Sequence, residues 1–211
     1  MIRIKVCGMT DPVNTGEIVR ANPDFIGFIF TPQSPRYVGK EVDPELFGVI
    51  PAVIKRVGVF INEDNQTIIN QAIRFDLNLI QLHGNESVKT CSELQSSGLG
   101  IIKVFNVGER FDFGSLLKYE PVCDYFLFDT RGDKHGGSGK KFNWKILDEY
   151  RSDKLFFLSG GIGTEDAGDI RSLENKGLFA VDINSRFESS PGMKDFVKIK
   201  TFINEIKGSQ L

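Results

Sequence analysis

Short apolar runs recur along the chain at near-regular intervals: Ile2–Val6, Phe25–Phe30, Arg56–Phe60, Leu79–Leu82, Ile101–Phe105, Tyr125–Phe128, Leu155–Leu158 and Phe179–Ile183. Each is rich in β-branched or aromatic residues and has the length of a strand. The stretches between them are longer, polar on one side and mostly helix-like. In Asp64–Phe75 the residues Ile68, Ile69, Ala72, Ile73 and Phe75 fall on one helical stripe. Ser87–Leu94 follows the start signal Asn85-Glu86-Ser87, and Thr10-Asp11-Pro12 reads as a helix cap with proline in the first turn. Further helices are expected from near Phe142 and from Thr164-Glu165-Asp166.

Strand–helix alternation builds parallel sheet from βαβ units. The strand starts lie about 23 to 30 residues apart, close to the smallest unit a closed eight-stranded barrel tolerates. The predicted fold is therefore α/β, a (β/α)₈ TIM barrel, with residues 1–211 as one domain. An open doubly wound sheet is the structural rival. Against it, no G-x-G-x-x-G follows the first run. The stretch richest in glycine and charge, Asp129–Lys141, falls between the sixth strand and the next helix, so it reads as a long βα-loop rather than a linker.

Composition adds exclusions. The chain has 211 residues, 40% hydrophobic and 26% charged, with a formal net charge of -2, which favours neither nucleic acid nor an acidic membrane face. No run approaches the roughly 18 apolar residues of a membrane helix. The cysteines are Cys7, Cys91 and Cys123. An odd number without regular spacing argues against a disulfide framework and for a reducing, cytoplasmic setting. The two histidines, His83 and His135, supply a metal site poorly, so no metal and no cofactor is expected.

Barrels of this kind carry chemistry at the C-terminal ends of their strands. Cys7 and Gly8 end the first run, His83 and Gly84 the fourth, Asp129 and Thr130 the sixth, and Asp182 lies at the end of the eighth. The seventh ends in Ser159-Gly160-Gly161-Ile162-Gly163 and the eighth in Asp182-Ile183-Asn184-Ser185. Glycines let backbone N–H groups approach an anion, and the loops after strands seven and eight form the recurrent phosphate site of the fold. Gly160, Gly161, Asn184 and Ser185 are thus the expected phosphate residues.

Ordered motifs cover almost the whole chain. They are Lys5-Val6-Cys7-Gly8-Met9-Thr10, Gly27-Phe28-Ile29-Phe30, Ser34-Pro35-Arg36-Tyr37, Val57-Gly58-Val59-Phe60 and Ile80-Gln81-Leu82-His83-Gly84. Phe128-Asp129-Thr130, Gly136-Gly137-Ser138-Gly139, Phe142-Asn143-Trp144, Ser159-Gly160-Gly161-Ile162, Asp182-Ile183-Asn184-Ser185 and Pro191-Gly192-Met193-Lys194-Asp195 follow. In this order they resemble the phosphoribosylanthranilate isomerases of tryptophan biosynthesis.

The resemblance implies an Amadori rearrangement of N-(5-phosphoribosyl)anthranilate to 1-(2-carboxyphenylamino)-1-deoxyribulose 5-phosphate. It implies Asp129 as general acid, Cys7 as general base and Arg36 as the partner of the anthranilate carboxylate, with His83 and Asp182 also at the substrate. The base role asks for an available Cys7 thiolate. The Asp129–Lys141 loop would fold over the substrate. One departure stands out: after Asn184-Ser185 the family usually carries a small residue, commonly glycine, then valine and glutamate, whereas this chain reads Arg186-Phe187-Glu188. Arg186 either adds a charge contact to the phosphate or points to solvent. Two alternatives remain: another phosphosugar barrel, such as an epimerase or the next synthase of the pathway, and a non-catalytic phosphosugar-binding barrel. The sequence leaves monomer and homodimer open.

Overall fold

The computed structural model describes residues 1–39, 41–130 and 142–208. Eight parallel strands close into a barrel in sequence order: β1 Arg3–Cys7, β2 Phe25–Ile29, β3 Lys55–Phe60, β4 Leu79–Leu82, β5 Gly100–Val107, β6 Tyr125–Thr130, β7 Phe156–Leu158 and β8 Leu178–Ile183. β1 pairs with β8, with Lys5 opposite Asp182, and this closes the ring. All eight expected strands are present, and the open-sheet alternative is excluded. β1 and β6 run one and two residues further than their apolar cores and so include Cys7 and Asp129.

Strand alternation sorts the wall into two faces. Val57, Ile102, Leu127, Phe157 and Ala180 fill the lower lumen with Phe25, and Tyr125 and Phe179 pack on them. The intervening residues, such as Ile4, Val6, Phe28, Ile80, Phe126 and Val181, face the outer shell. Both faces are buried, which is why the strands read as continuous apolar runs rather than alternating ones.

The connecting elements explain themselves less uniformly. α1, Pro12–Val19, starts where expected: the Asp11 carboxylate accepts the Asn14 N–H at 2.7 Å. After the single turn α2, Glu45–Gly48, come α3, Asn65–Arg74, and α4, Val88–Ser96. Asp64 and Ser87 cap α3 and α4 through the N–H groups of Thr67 and Thr90. The helix expected from near Phe142 is a 3₁₀ helix, Trp144–Glu149. Its cap Asn143 accepts from Lys145, and its turns close three residues back, from the Ile146 N–H to the Asn143 carbonyl and from the Tyr150 N–H to the Leu147 carbonyl, both at 3.1 Å. A second 3₁₀ helix spans Phe113–Val122, with Pro121 inside it. The Thr164–Asp166 start gives one 3₁₀ turn and then the short α5, Ala167–Arg171. A 3₁₀ turn Ser185–Phe187 and the strands β9, Glu188–Ser190, and β10, Met193–Lys194, precede the closing helix α6, Phe196–Lys207. No helix among the described residues is long and apolar enough to cross a membrane.

Candidate active site

Cys7 occupies the upper lumen, where it packs with Ile29 and Val59. Its space comes from Gly27: a Cβ there would lie 2.8 Å from the Cys7 Sγ and 3.1 Å from the Lys5 Cε. Lys5 stands one lumen layer below Cys7, fully buried, and donates to Asp182 Oδ1 at 2.9 Å. Burial works against the Lys5 ammonium, but Asp182 and Cys7 outweigh it and hold its pKa above the ordinary value. Burial pushes the Cys7 thiol up and Asp182 adds to the rise, while Lys5 and Lys194 pull in the opposite direction.

Gly8 has φ +80°, a conformation that an L side chain rarely adopts, and any Cβ would meet Arg36 Cδ at 2.7 Å and Asn184 Oδ1 at 2.9 Å. It therefore lets three strand ends converge beside Cys7. Within the chain Arg36 is held by an acid, Glu188. Its Nε donates to Glu188 Oε1 and Oε2 at 2.8 and 3.0 Å, and its Nη2 to Oε2 at 2.7 Å. Lys194 Nζ also donates to Glu188, and to Asn184 Oδ1 at 2.6 Å. Burial would push the Glu188 carboxyl up, but the two cations win and hold it below the usual carboxylate range. Burial brings Lys194 down to about 8, against the pull of Glu188. The backbone of Lys194 is pinned from α1, where the Asn14 amide makes two hydrogen bonds with it, at 2.8 and 2.9 Å.

Across the mouth, Asp129 Oδ2 lies 3.4 Å from His83 Nε2, and Oδ1 accepts the Thr130 N–H at 2.8 Å. Both side chains are partly open to the mouth, at 20% and 23% exposure. The turn that carries His83 is set from below. Glu86 accepts the N–H groups of Asn62 and Gly84, and the buried Lys103 donates to Glu86 at 3.0 Å.

Gly160 and Gly161 have φ +96° and +65°. A Cβ on Gly160 would come within 2.2 Å of Thr130 Oγ1 and 2.8 Å of Asp129 Oδ1, so only glycine lets this loop touch the end of β6. Arg186 lies over the loop. Its Nη1 donates to the Gly161 carbonyl at 3.2 Å, and its Nη2 is 2.7 Å from Glu165.

The structure thus brings Cys7, Arg36, His83, Asp129, Gly160, Gly161, Asn184 and Ser185 to one end of the barrel. Asp182 sits beneath this surface, 6% exposed and committed to Lys5. The Gly136-Gly137-Ser138-Gly139 motif and the loop expected to cover the substrate lie outside the described residues. Among the described residues, no group of three His, Cys, Asp or Glu side chains is disposed to hold a metal ion. Sequence reasoning gave no role to Lys5, Lys194, Glu188 or Glu165. A lysine inside an otherwise apolar strand run was the available signal for Lys5. The other three have no such local mark.

A family model described as N-(5'phosphoribosyl)anthranilate (PRA) isomerase matches residues 4–205. The N-(5'-phosphoribosyl)anthranilate isomerase of Phocaeicola vulgatus is 45% identical over 204 residues, covering 97% of each chain. That of Thermotoga neapolitana is 37% identical, with 99% of this chain and 100% of the relative covered. The crystal structure of the Thermotoga maritima phosphoribosyl anthranilate isomerase superposes with a TM-score of 0.84 at 34% identity, covering 99% and 100%. A second solved phosphoribosyl anthranilate isomerase, in complex with reduced 1-(o-carboxyphenylamino)-1-deoxyribulose 5-phosphate, gives 0.83 at 32% identity over the same shares. With a family model spanning nearly its whole length and relatives this similar end to end, the chain belongs to the N-(5'-phosphoribosyl)anthranilate isomerase family of enzymes.

Proposed function

We propose that this protein converts N-(5-phosphoribosyl)anthranilate to 1-(2-carboxyphenylamino)-1-deoxyribulose 5-phosphate, with Asp129 as general acid and Cys7 as general base. Asp129, protonated when substrate is bound, gives its proton to the ring oxygen. The furanose opens to a protonated Schiff base, and C2 becomes acidic. Cys7 takes the C2 proton, and the resulting enolamine tautomerises to the ketone by gaining a proton at C1 and losing one from the C2 hydroxyl. No electron leaves the substrate.

The observation that carries this reading is the pairing of environments at one mouth. Cys7 sits in a dry pocket above a buried ammonium, and Asp129 sits beside His83 and the Gly160-Gly161 loop. A thiol pushed up by burial fits the chemistry. Lys5 and Lys194 already favour the thiolate, and the Schiff-base cation adds a third positive charge only after ring opening. The Gly160-Gly161 loop, Asn184 and Ser185 would hold the phosphate, and Arg36 the anthranilate carboxylate. Arg186 contributes by holding Glu165, so that this carboxylate does not face the incoming phosphate. The three buried free thiols suit a reducing, cytoplasmic setting.

The test is a direct assay. Phosphoribosylanthranilate generated in situ should lose its fluorescence on adding the pure protein, with the ketone product appearing in equal amount. No turnover with substrate confirmed present would overturn the proposal.

A further inference from the structure

A guanidinium offers two edges to carboxylates: Nε with Nη2, and Nη2 with Nη1. In this protein Glu188 takes the first edge of Arg36 in full. Nη1 has no hydrogen-bond partner among the described residues, so the second edge is open. Glu188 is itself fixed from three directions: by Arg36, by Lys194 Nζ, and by the Gly192 N–H at 3.2 Å. The Glu188 side chain is 4% exposed, that of Arg36 11% and that of Lys194 0%. Two cations and one anion in so dry a place leave one positive charge uncompensated. A single further carboxylate at the open edge would balance it.

We infer that Glu188 is a positioning residue for substrate recognition. It clamps the Nε edge of Arg36 so that the Nη1–Nη2 edge stands ready for the ring carboxylate of the substrate. This rests on the reading of Arg36 as the carboxylate partner. The clamp fixes a long side chain before the ligand arrives, and the ordering cost that is avoided appears as affinity. Lys194 makes the clamp possible. Without it, Glu188 and Arg36 would form a neutral pair with less pull on a third charge. Lys194 also holds Asn184, so the carboxylate end and the phosphate end of the site share one buried ammonium.

The experiment compares two ligands by calorimetric titration: the carboxyphenylamino ketone product and its analogue that lacks the ring carboxyl. Glu188→Gln keeps the shape but loses the charge and the second oxygen acceptor. It should weaken the carboxylated ligand about tenfold and leave the analogue within about twofold. Equal weakening of both ligands, no change in either, or tighter binding of the carboxylated one would overturn the inference; the last would mark Glu188 as a competitor for Arg36. Arg36→Met, run in parallel, should erase the preference for the carboxylated ligand. If it does not, the assignment of Arg36 fails, whatever Glu188→Gln does. Should Glu188→Gln not fold, Glu188→Asp carries the same comparison. It keeps the charge, shortens the reach, and should give a smaller loss confined to the carboxylated ligand.

Discussion

The lower and upper halves of the barrel lumen are built from the same strands, two residues apart, yet they obey different rules. In the lower half Phe25, Tyr125, Phe157 and Phe179 pack edge-on and stacked, with ring centroids 4.7 to 6.1 Å apart. In the upper half β1, β6 and β8 present Lys5, Cys7, Asp129 and Asp182. Aromatic filling below makes the wall rigid and dry. That rigidity is what permits buried charges above, because each must keep its partner at a fixed distance to offset its desolvation. The lower half thus contributes stability, and the upper half spends part of it on electrostatics.

Two substitutions of similar size break the comparison from either side. Phe157→Ala in the lower lumen should cost about 3–5 kcal/mol of unfolding free energy. The fraction that stays folded should keep the wild-type pH profile of kcat/KM, and denaturant titration with kinetics on the same sample checks both. Lys5→Met should also cost about 3–5 kcal/mol, because Asp182 is left buried without its partner. In contrast, it should move the acidic limb of kcat/KM, which reports the base Cys7, to higher pH, since Lys5 favours the Cys7 thiolate. The double variant Lys5→Met/Asp182→Leu should recover much of the stability and part of the pH shift, since Asp182 works against the Cys7 thiolate.

Lys194 gives a smaller, pH-dependent effect. Burial lowers it to about 8, against 10.5 for a free lysine. Between these values the folded protein has released a proton that the unfolded chain still holds. Unfolding free energy therefore gains a rising contribution from about pH 8 to 10.5, and below pH 8 the cost of burying the cation is present in full. Lys194→Met should remove that rise, as measured by urea titration across pH 7 to 10. The smallest effect belongs to Arg186, whose pair with Glu165 is partly exposed. Arg186→Gly should change stability by about 1 kcal/mol or less and weaken binding of inorganic phosphate a few-fold. Adding Glu165→Gln should restore the phosphate affinity by removing the unmasked carboxylate.

The barrel was legible because its strands are buried on both faces and read as unbroken apolar runs, and because Asp11, Asp64 and Ser87 cap their helices through neighbours three residues on. The 3₁₀ segments were not legible. A 3₁₀ helix differs from an α-helix only in bonding three rather than four residues back, and apolar spacing does not distinguish that winding over six to ten residues. Cys7, Asp129 and the Gly160-Gly161 pair could be placed because strand ends define the mouth. The charge network could not: Lys5 meets Asp182 across 177 residues and Arg36 meets Glu188 across 152. The Arg186-Phe187-Glu188 departure was visible, but only the fold shows Arg186 turned onto Glu165 and Glu188 turned onto Arg36.

The central claim is that one acid and one base at this mouth perform the isomerisation. It is tested most directly by steady-state turnover of phosphoribosylanthranilate by the wild type, Asp129→Asn and Cys7→Ala, with each fold verified by thermal melting. Each substitution should lower kcat by about 10²–10⁴-fold with the fold intact. Wild-type kcat in either variant would contradict it.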